Sequence, residues 1–355
     1  MTPLSWRARR RVSCALAGPS SGGTALGYAF GAMSDFYKTL RARVRHTSAM
    51  QYIDKNKLIE AEQCVWQSAR VLERVRFEHL FRAGPSAPIV QALGAYQKSD
   101  GGFGHGIEPD FRGPISQPLN SDFALRVLAE LPEPDAGLLR DTLRYLKSIT
   151  VADGGVPNTL PSVRDYPRAP WWQAEGDTPP GNLLPTAGIL GHLYLFKVDD
   201  PWLATAAEFS WRGIARLIER APQAQERLAR LFVAYEARNA MTFLDHVPER
   251  ARAERVAGEL GQALLAAKLV QIEVDAAGEA AQPLEYAPTP ESLAARWLDR
   301  TLFDAHLDAW VNAQAEHGGW NVPWMIWTPV TEHEWRGIQT IERLKTLRAW
   351  GRFKL

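Results

Sequence analysis

Cysteine is almost absent from this 355-residue chain, which has only Cys14 and Cys64. The two are far apart, and no CxxC or Cys/His cluster occurs, which argues against a disulfide framework and a structural zinc site. Excess charge is missing as well. Lys and Arg number 41 against 40 Asp and Glu, so the net charge of +1 leaves no electrostatic footprint for nucleic acid. No apolar run approaches the ~20 residues needed to span a bilayer. Strand signals are scarce, and Leu269 to Val274 is the single short candidate. The Gly-rich segment 101–106 follows a helix rather than a strand, so it is no dinucleotide loop, and no cofactor or metal is expected. These absences fit a reducing, cytoplasmic setting. Nothing in the sequence sets an oligomeric state.

What is present is a repeat. Gln97-Lys98-Ser99-Asp100-Gly101-Gly102-Phe103 returns as Gln314-Ala315-Glu316-His317-Gly318-Gly319-Trp320, with a weaker copy, Asp153-Gly154-Gly155-Val156, between them. The first two Gly pairs are 53 residues apart, and the first and last are 217 apart, or roughly four such periods. Each copy follows an apolar helical stretch, and the glycines supply backbone angles at which a helix stops. Asp100 is suited to accept from the turn amides, and Gln97 to tie the helix end to a neighbour. The aromatic after the glycines is placed to pack into the next seam.

Residues 1–48 differ from the rest. An Arg-rich stretch precedes a Gly/Ser/Ala segment without helical period, which reads as a disordered leader or an over-extended start. From Lys57 the pattern is helical, with an apolar stripe from Val65 to Phe81. Further stretches cover about 86–97, 120–131, 137–149, 184–197, 202–219, 222–239, 249–269, 290–313 and 333–350. Ser121-Asp122 and Asp200-Pro201 read as helix starts. The expected class is all-α, with antiparallel helix pairs stacked side by side over 49–355 and closed into an α/α toroid around a funnel.

The Gln-x-x-Asp-Gly-Gly-aromatic unit resembles the repeats of terpenoid cyclases and protein prenyltransferase β subunits. The run Gly101 to Pro114, Tyr166 to Trp172 and Trp335-Arg336-Gly337 is similar to a bacterial group of stand-alone, prenyltransferase-like toroid proteins. The resemblance covers about residues 60–355 and implies an α/α barrel whose cavity is lined by aromatic residues. The catalytic motifs of those families are missing. There is no Asp-x-Asp-Asp proton donor, no Asp-x-Cys zinc site and no Asp-Asp-x-x-Asp magnesium motif.

The densest polar group is His105, Glu108, Asp110 and Arg112, in a Gly/Pro-rich loop between apolar helices. Glu108, Asp110 and His105 are the candidate acid/base residues, since carboxyls in different surroundings are pushed to different pKa values. Arg112 is placed to hold one carboxylate ionised or to clamp an anionic group. A second loop, Asn158 to Asn182, offers Tyr166, Trp171 and Trp172, and a third, Trp320 to Trp335, offers Trp324 and Trp327. Such a long loop in a compact helical protein is a functional candidate. Core packing and salt-bridged buttressing are the plain alternatives for all these residues, and His192 and His246 read as structural. The expected ligand is a hydrophobic, possibly isoprenoid, small molecule. A carbohydrate-active hydrolase or lyase and a non-catalytic interaction scaffold are the competing readings.

Overall fold

Residues 49–274 and 281–355 are described by this computed structural model, and the leader expected at residues 1–48 lies outside them. Twelve α-helices occupy the described residues. The first six are α1 Lys55–Ser68, α2 Val71–Arg82, α3 Ala87–Gly94, α4 Pro118–Leu128, α5 Ala136–Ile149 and α6 Leu183–Leu195. They are followed by α7 Trp202–Arg220, α8 Arg227–His246, α9 Arg250–Ala266, α10 Pro283–Tyr286, α11 Arg300–Asn312 and α12 Pro329–Ala349. Two short strands, β1 Ile53–Asp54 and β2 Phe353–Lys354, pair in parallel with Ile53 opposite Phe353. The chain is therefore mostly helical, as expected. The strand expected at Leu269–Val274 is absent; Val270 makes only an isolated bridge to Ala281. No helix among the described residues is long and apolar enough to cross a membrane.

Helix starts follow local chemistry. Asp54, Asp135 and Asn182 accept from the amides of Lys57, Leu138 and Leu184, which the helix itself leaves without partners. Asp200 does the same for Trp202 at 2.9 Å, as its sequence context suggested. The start expected at Ser121-Asp122 is wrong, because Pro118 opens α4 and Asp122 lies inside it. The stripe from Val65 to Phe81 spans two helices. The backbone turns extended at Ala69 and Arg70, where Arg70 reaches Gly106 O and Ile107 O at 2.5 and 3.0 Å.

The three Gly-Gly segments adopt one geometry. In each, the first glycine has positive φ: 96° at Gly101, 92° at Gly154 and 85° at Gly318. In each, a reciprocal pair of backbone bonds closes the turn, as in Gly101 N–H to Lys98 O and Lys98 N–H to Gly102 O. The residue before the pair accepts from the second glycine's N–H: Asp100 at 2.9 Å, Asp153 at 3.0 Å and His317 Nδ1 at 3.1 Å. Each corner also presses on another helix. A Cβ on Gly101 would sit 2.0 Å from Asp141 O of α5, one on Gly154 2.9 Å from Thr205 O of α7, and one on Gly318 2.1 Å from Glu60 O of α1. Gln97 and Gln314 complete the join by donating to Leu138 O at 3.0 Å and Lys57 O at 2.8 Å.

Helices α4 and α6 are buried almost throughout. In α4 only Leu119 and Arg126 escape burial, and in α6 only Leu184, His192, Tyr194 and Leu195 do. The sequence α4, α6, α8, α10 is packed neighbour to neighbour, and α12 packs on both α1 and α2. Gly191 lets α6 meet α8 closely, since a Cβ there would lie 2.4 Å from Thr242 O. The fully buried Ile189, Leu190 and Leu193 each contribute about 1.5–3 kcal/mol to this contact region.

Candidate functional site

The loop between α3 and α4 is sewn to the loop between α5 and α6. Arg112 N–H bonds Pro167 O at 3.0 Å and Ala169 N–H bonds Asp110 O at 2.8 Å. Phe111 stacks on Trp172, with ring centres 5.2 Å apart and planes 11° from parallel, while Tyr166 meets Phe111 edge-on at 6.2 Å. Trp172 is thus a core residue, 2% exposed, and Tyr166 packs against the same cluster. Burial of a large ring explains Trp172 without a ligand.

Asp110 is 3% exposed and gathers three tryptophans. Trp171 Nε1–H donates to Oδ2 at 3.0 Å, while Trp327 and Trp335 donate to Oδ1 at 3.1 and 2.9 Å. Burial pushes this carboxyl up, and the indole bonds from Trp335, Trp171 and Trp327, with Arg112, oppose the rise. A carboxylate so engaged anchors rings. Trp171 comes from the second loop, Trp327 from the third and Trp335 from α12, so one side chain fixes three segments. Trp324 meets Trp335 edge-on at 5.0 Å and extends the aromatic group. Trp335 was visible in the sequence as part of a tryptophan cluster but was not singled out as a site residue.

Glu108 is a different kind of carboxyl. It accepts from the Asp110 N–H at 2.8 Å. Burial raises it well above the ordinary range and nearby Asp110 adds to the rise, while Arg126 and Arg70 only partly oppose it. A half-buried carboxyl raised in this way is a better proton donor near neutral pH than a solvated one. Arg112 does not hold Glu108. It forms a two-pronged bridge to Glu334 of α12 at 2.8 and 3.0 Å. His105, expected beside the carboxyls, is exposed, has φ of 58° and places Nε2 2.8 Å from Lys98 Nζ.

A second charged group joins α2, α4 and α12. Arg76 bridges Glu130 and Glu342 at 2.6 Å each, and Lys345 reaches the same acids at 2.7 and 3.0 Å. Arg126 pairs with the fully buried Asp122 one turn earlier. Arg126 keeps 49% of its side-chain surface and Glu342 keeps 44%. Yet for both, burial acts against the charge more strongly than any other single influence. Opposing charges prevail over burial: Asp122, Glu342 and Glu108 raise Arg126, and Lys345 and Arg76 hold Glu342 low.

His192 lies by this group. Burial, followed by Arg126, His246 and Lys345, brings its ring down to about 3, so it stays neutral, and its Nδ1 is buried without a partner. His246, by contrast, has Nδ1 2.8 Å from Thr242 O. One sign of this region is local. Arg126 stands within Phe123-Ala124-Leu125-Arg126-Val127-Leu128, where a charge interrupts an otherwise apolar helix. Among the described residues, no three His, Cys, Asp or Glu side chains converge as metal ligands.

No family model matches this chain, and neither does any curated protein sequence. A crystal structure of a protein from Actinoplanes is similar over 82% of this chain and 88% of its own length, with 17% identity and a TM-score of 0.44.

Proposed function

We propose that the helices close into an α/α toroid of the terpenoid-cyclase type, whose hollow takes an amphipathic small molecule and offers it a proton from Glu108. Support for closure comes from three equivalent Gly-Gly corners, each seated on another helix, and from the packing of α12 on α1 and α2. Support for a hollow comes from α8. Its positions 228, 231, 232, 235, 238, 239 and 242 all retain surface, while 233, 234, 236, 237, 240 and 241 are buried. Residues 227–232 retain surface all round, and from 233 onward the pattern is that of a helix with one open face.

The open face changes character along α8. Leu228 and Phe232 are 66% and 47% exposed at its start, and Arg238 and Asn239 follow further on. The tryptophans held by Asp110 add apolar surface, which favours the isoprenoid reading over a wholly polar ligand. Arg126, Glu342 and Lys345 supply charge elsewhere in the hollow, so the ligand must carry a polar group as well. The observation that carries the proposal is the Glu108 carboxyl bonded to the N–H of Asp110, whose own carboxylate holds three indoles, with burial and Asp110 both raising Glu108. A glycosidase would need a second available carboxylate. The acid nearest Glu108 in sequence, Asp110, is committed to three indoles.

Mass spectrometry of small molecules that co-purify with the full chain tests this reading. The expected result is one bound species with an apolar body and a polar group, released on unfolding. Purification with a stoichiometric protein partner and no small molecule would instead support the scaffold reading and remove this one.

A further inference from the structure

Among the described residues, Arg343, on α12, has no ion pair. Its guanidinium lies 4.0 Å from the centre of the Trp310 ring of α11, and its Nε is buried with no hydrogen-bond partner. Burial brings its pKa down to about 10, and Glu285 of α10 is the charge opposing that fall. Glu285 is already occupied. One oxygen pairs with Arg238 of α8 at 3.1 Å, and the other accepts from Gln282 N–H at 2.8 Å. Gln282 in turn receives the Trp310 indole N–H, so the stacking ring is itself fixed.

A guanidinium partly withdrawn from water, with its Nε buried, is unfavourable without a counter-charge, and stacking on one indole offsets only part of that cost. Stacking engages the flat face and leaves edge N–H groups available for a planar acceptor. Two guanidiniums, Arg238 and Arg343, stand against one carboxylate, Glu285, which leaves one positive charge. Tyr235 borders the same space: Arg238 lies 5.4 Å from its ring centre, and its hydroxyl feels Arg238, Glu285, Asp110 and Glu108. The group is therefore within electrostatic reach of the proposed proton donor.

We propose that Arg343 and Arg238, with Trp310 and Tyr235 as walls, form a subsite for a single carboxylate carried by the ligand. One surplus charge matches a carboxylate. A phosphate dianion would leave the site negative beside Glu285. This inference rests on the hollow proposed above and adds the identity of the ligand's polar group.

The test is thermal unfolding of the full chain near neutral pH in sodium benzoate, sodium acetate, sodium phosphate or sodium chloride, at matched ionic strength. Benzoate, with a planar ring and one carboxylate, should raise Tm above the chloride value by on the order of 2 °C at saturation. Acetate should act in the same direction but more weakly, and phosphate should match chloride. The benzoate increment should vanish in Arg343→Met. If that variant does not fold, Arg238→Met, at a position with 33% of its side-chain surface exposed, should reduce the increment instead. Equal melting in benzoate and chloride, a phosphate effect larger than benzoate's, or an increment that survives both substitutions would overturn the subsite. Failure here and failure of the broader reading are distinct. A neutral co-purifying ligand would remove the carboxylate subsite alone. An Arg343-dependent benzoate shift without any natural small molecule would keep the subsite and remove the broader reading.

Discussion

Two carboxyls separated by one residue are given opposite tasks by their neighbours. Asp110 has three indole N–H groups on two oxygens, while the Glu108 carboxyl receives one backbone amide. The consequence for Glu108 is measurable as a pH dependence. A carboxyl raised in the folded state binds its proton more tightly there than in the unfolded chain. Its contribution to stability is complete below the ordinary value of 4.5 and is lost as pH rises through the folded value. Glu108→Gln cannot ionise, so it should gain on the natural chain steadily above about pH 5. Urea midpoints compared between about pH 5 and pH 8 check this. A gap that stays constant with pH would mean that the carboxyl ionises normally and cannot act as the proposed donor.

Helix ends were the most legible elements, because their chemistry is local. A left-handed turn favours glycine, and the third corner keeps its geometry although His317 replaces the aspartate, since Nδ1 accepts the same amide. Gly318→Ala should cost more than about 3 kcal/mol, combining positive φ with a Cβ 2.1 Å from Glu60 O. Gly258→Ala is the control. It lies inside α9 with nothing within 4 Å of the added atom, and should stabilise by about 0.5–1 kcal/mol. Urea unfolding of both variants decides; equal costs would mean that the corner does not constrain the α11–α1 join. Other elements depended on partners distant in sequence. The break at Ala69–Arg70 follows from Arg70 reaching carbonyls 36 and 37 residues away. Trp171 and Trp172 are neighbours in sequence, yet one donates to Asp110 and the other stacks in the core on Phe111. The α2–α4–α12 charge group was equally hidden, because its members come together only through packing. Helix α11, expected from residue 290, begins at Arg300 because a 3-10 turn, Leu293–Arg296, occupies the preceding segment.

At the scale of the described residues, 49–274 and 281–355, their first and last segments are held side by side. Ile53 N–H bonds Arg352 O at 2.8 Å, beside the β1–β2 pair. Arg352 is 1% exposed, bonds Asp304 Oδ1 at 2.9 Å and pairs with Asp308 at 3.1 Å. Asp308 also accepts the Gln51 N–H at 2.8 Å, so α11 clamps both ends at once. The order in which the helices are synthesised is then separable from the order in which they pack. A circularly permuted 49–355 chain, with Leu355 joined to Ala49 by a short Gly/Ser linker and opened in the exposed α7–α8 connection at Gln225, should fold with the native helical circular dichroism and a single melting transition. A permutant that melts in two steps would place the native seam among the last contacts to form. One that melts like its parent would make the starting point of this polypeptide an accident of its gene.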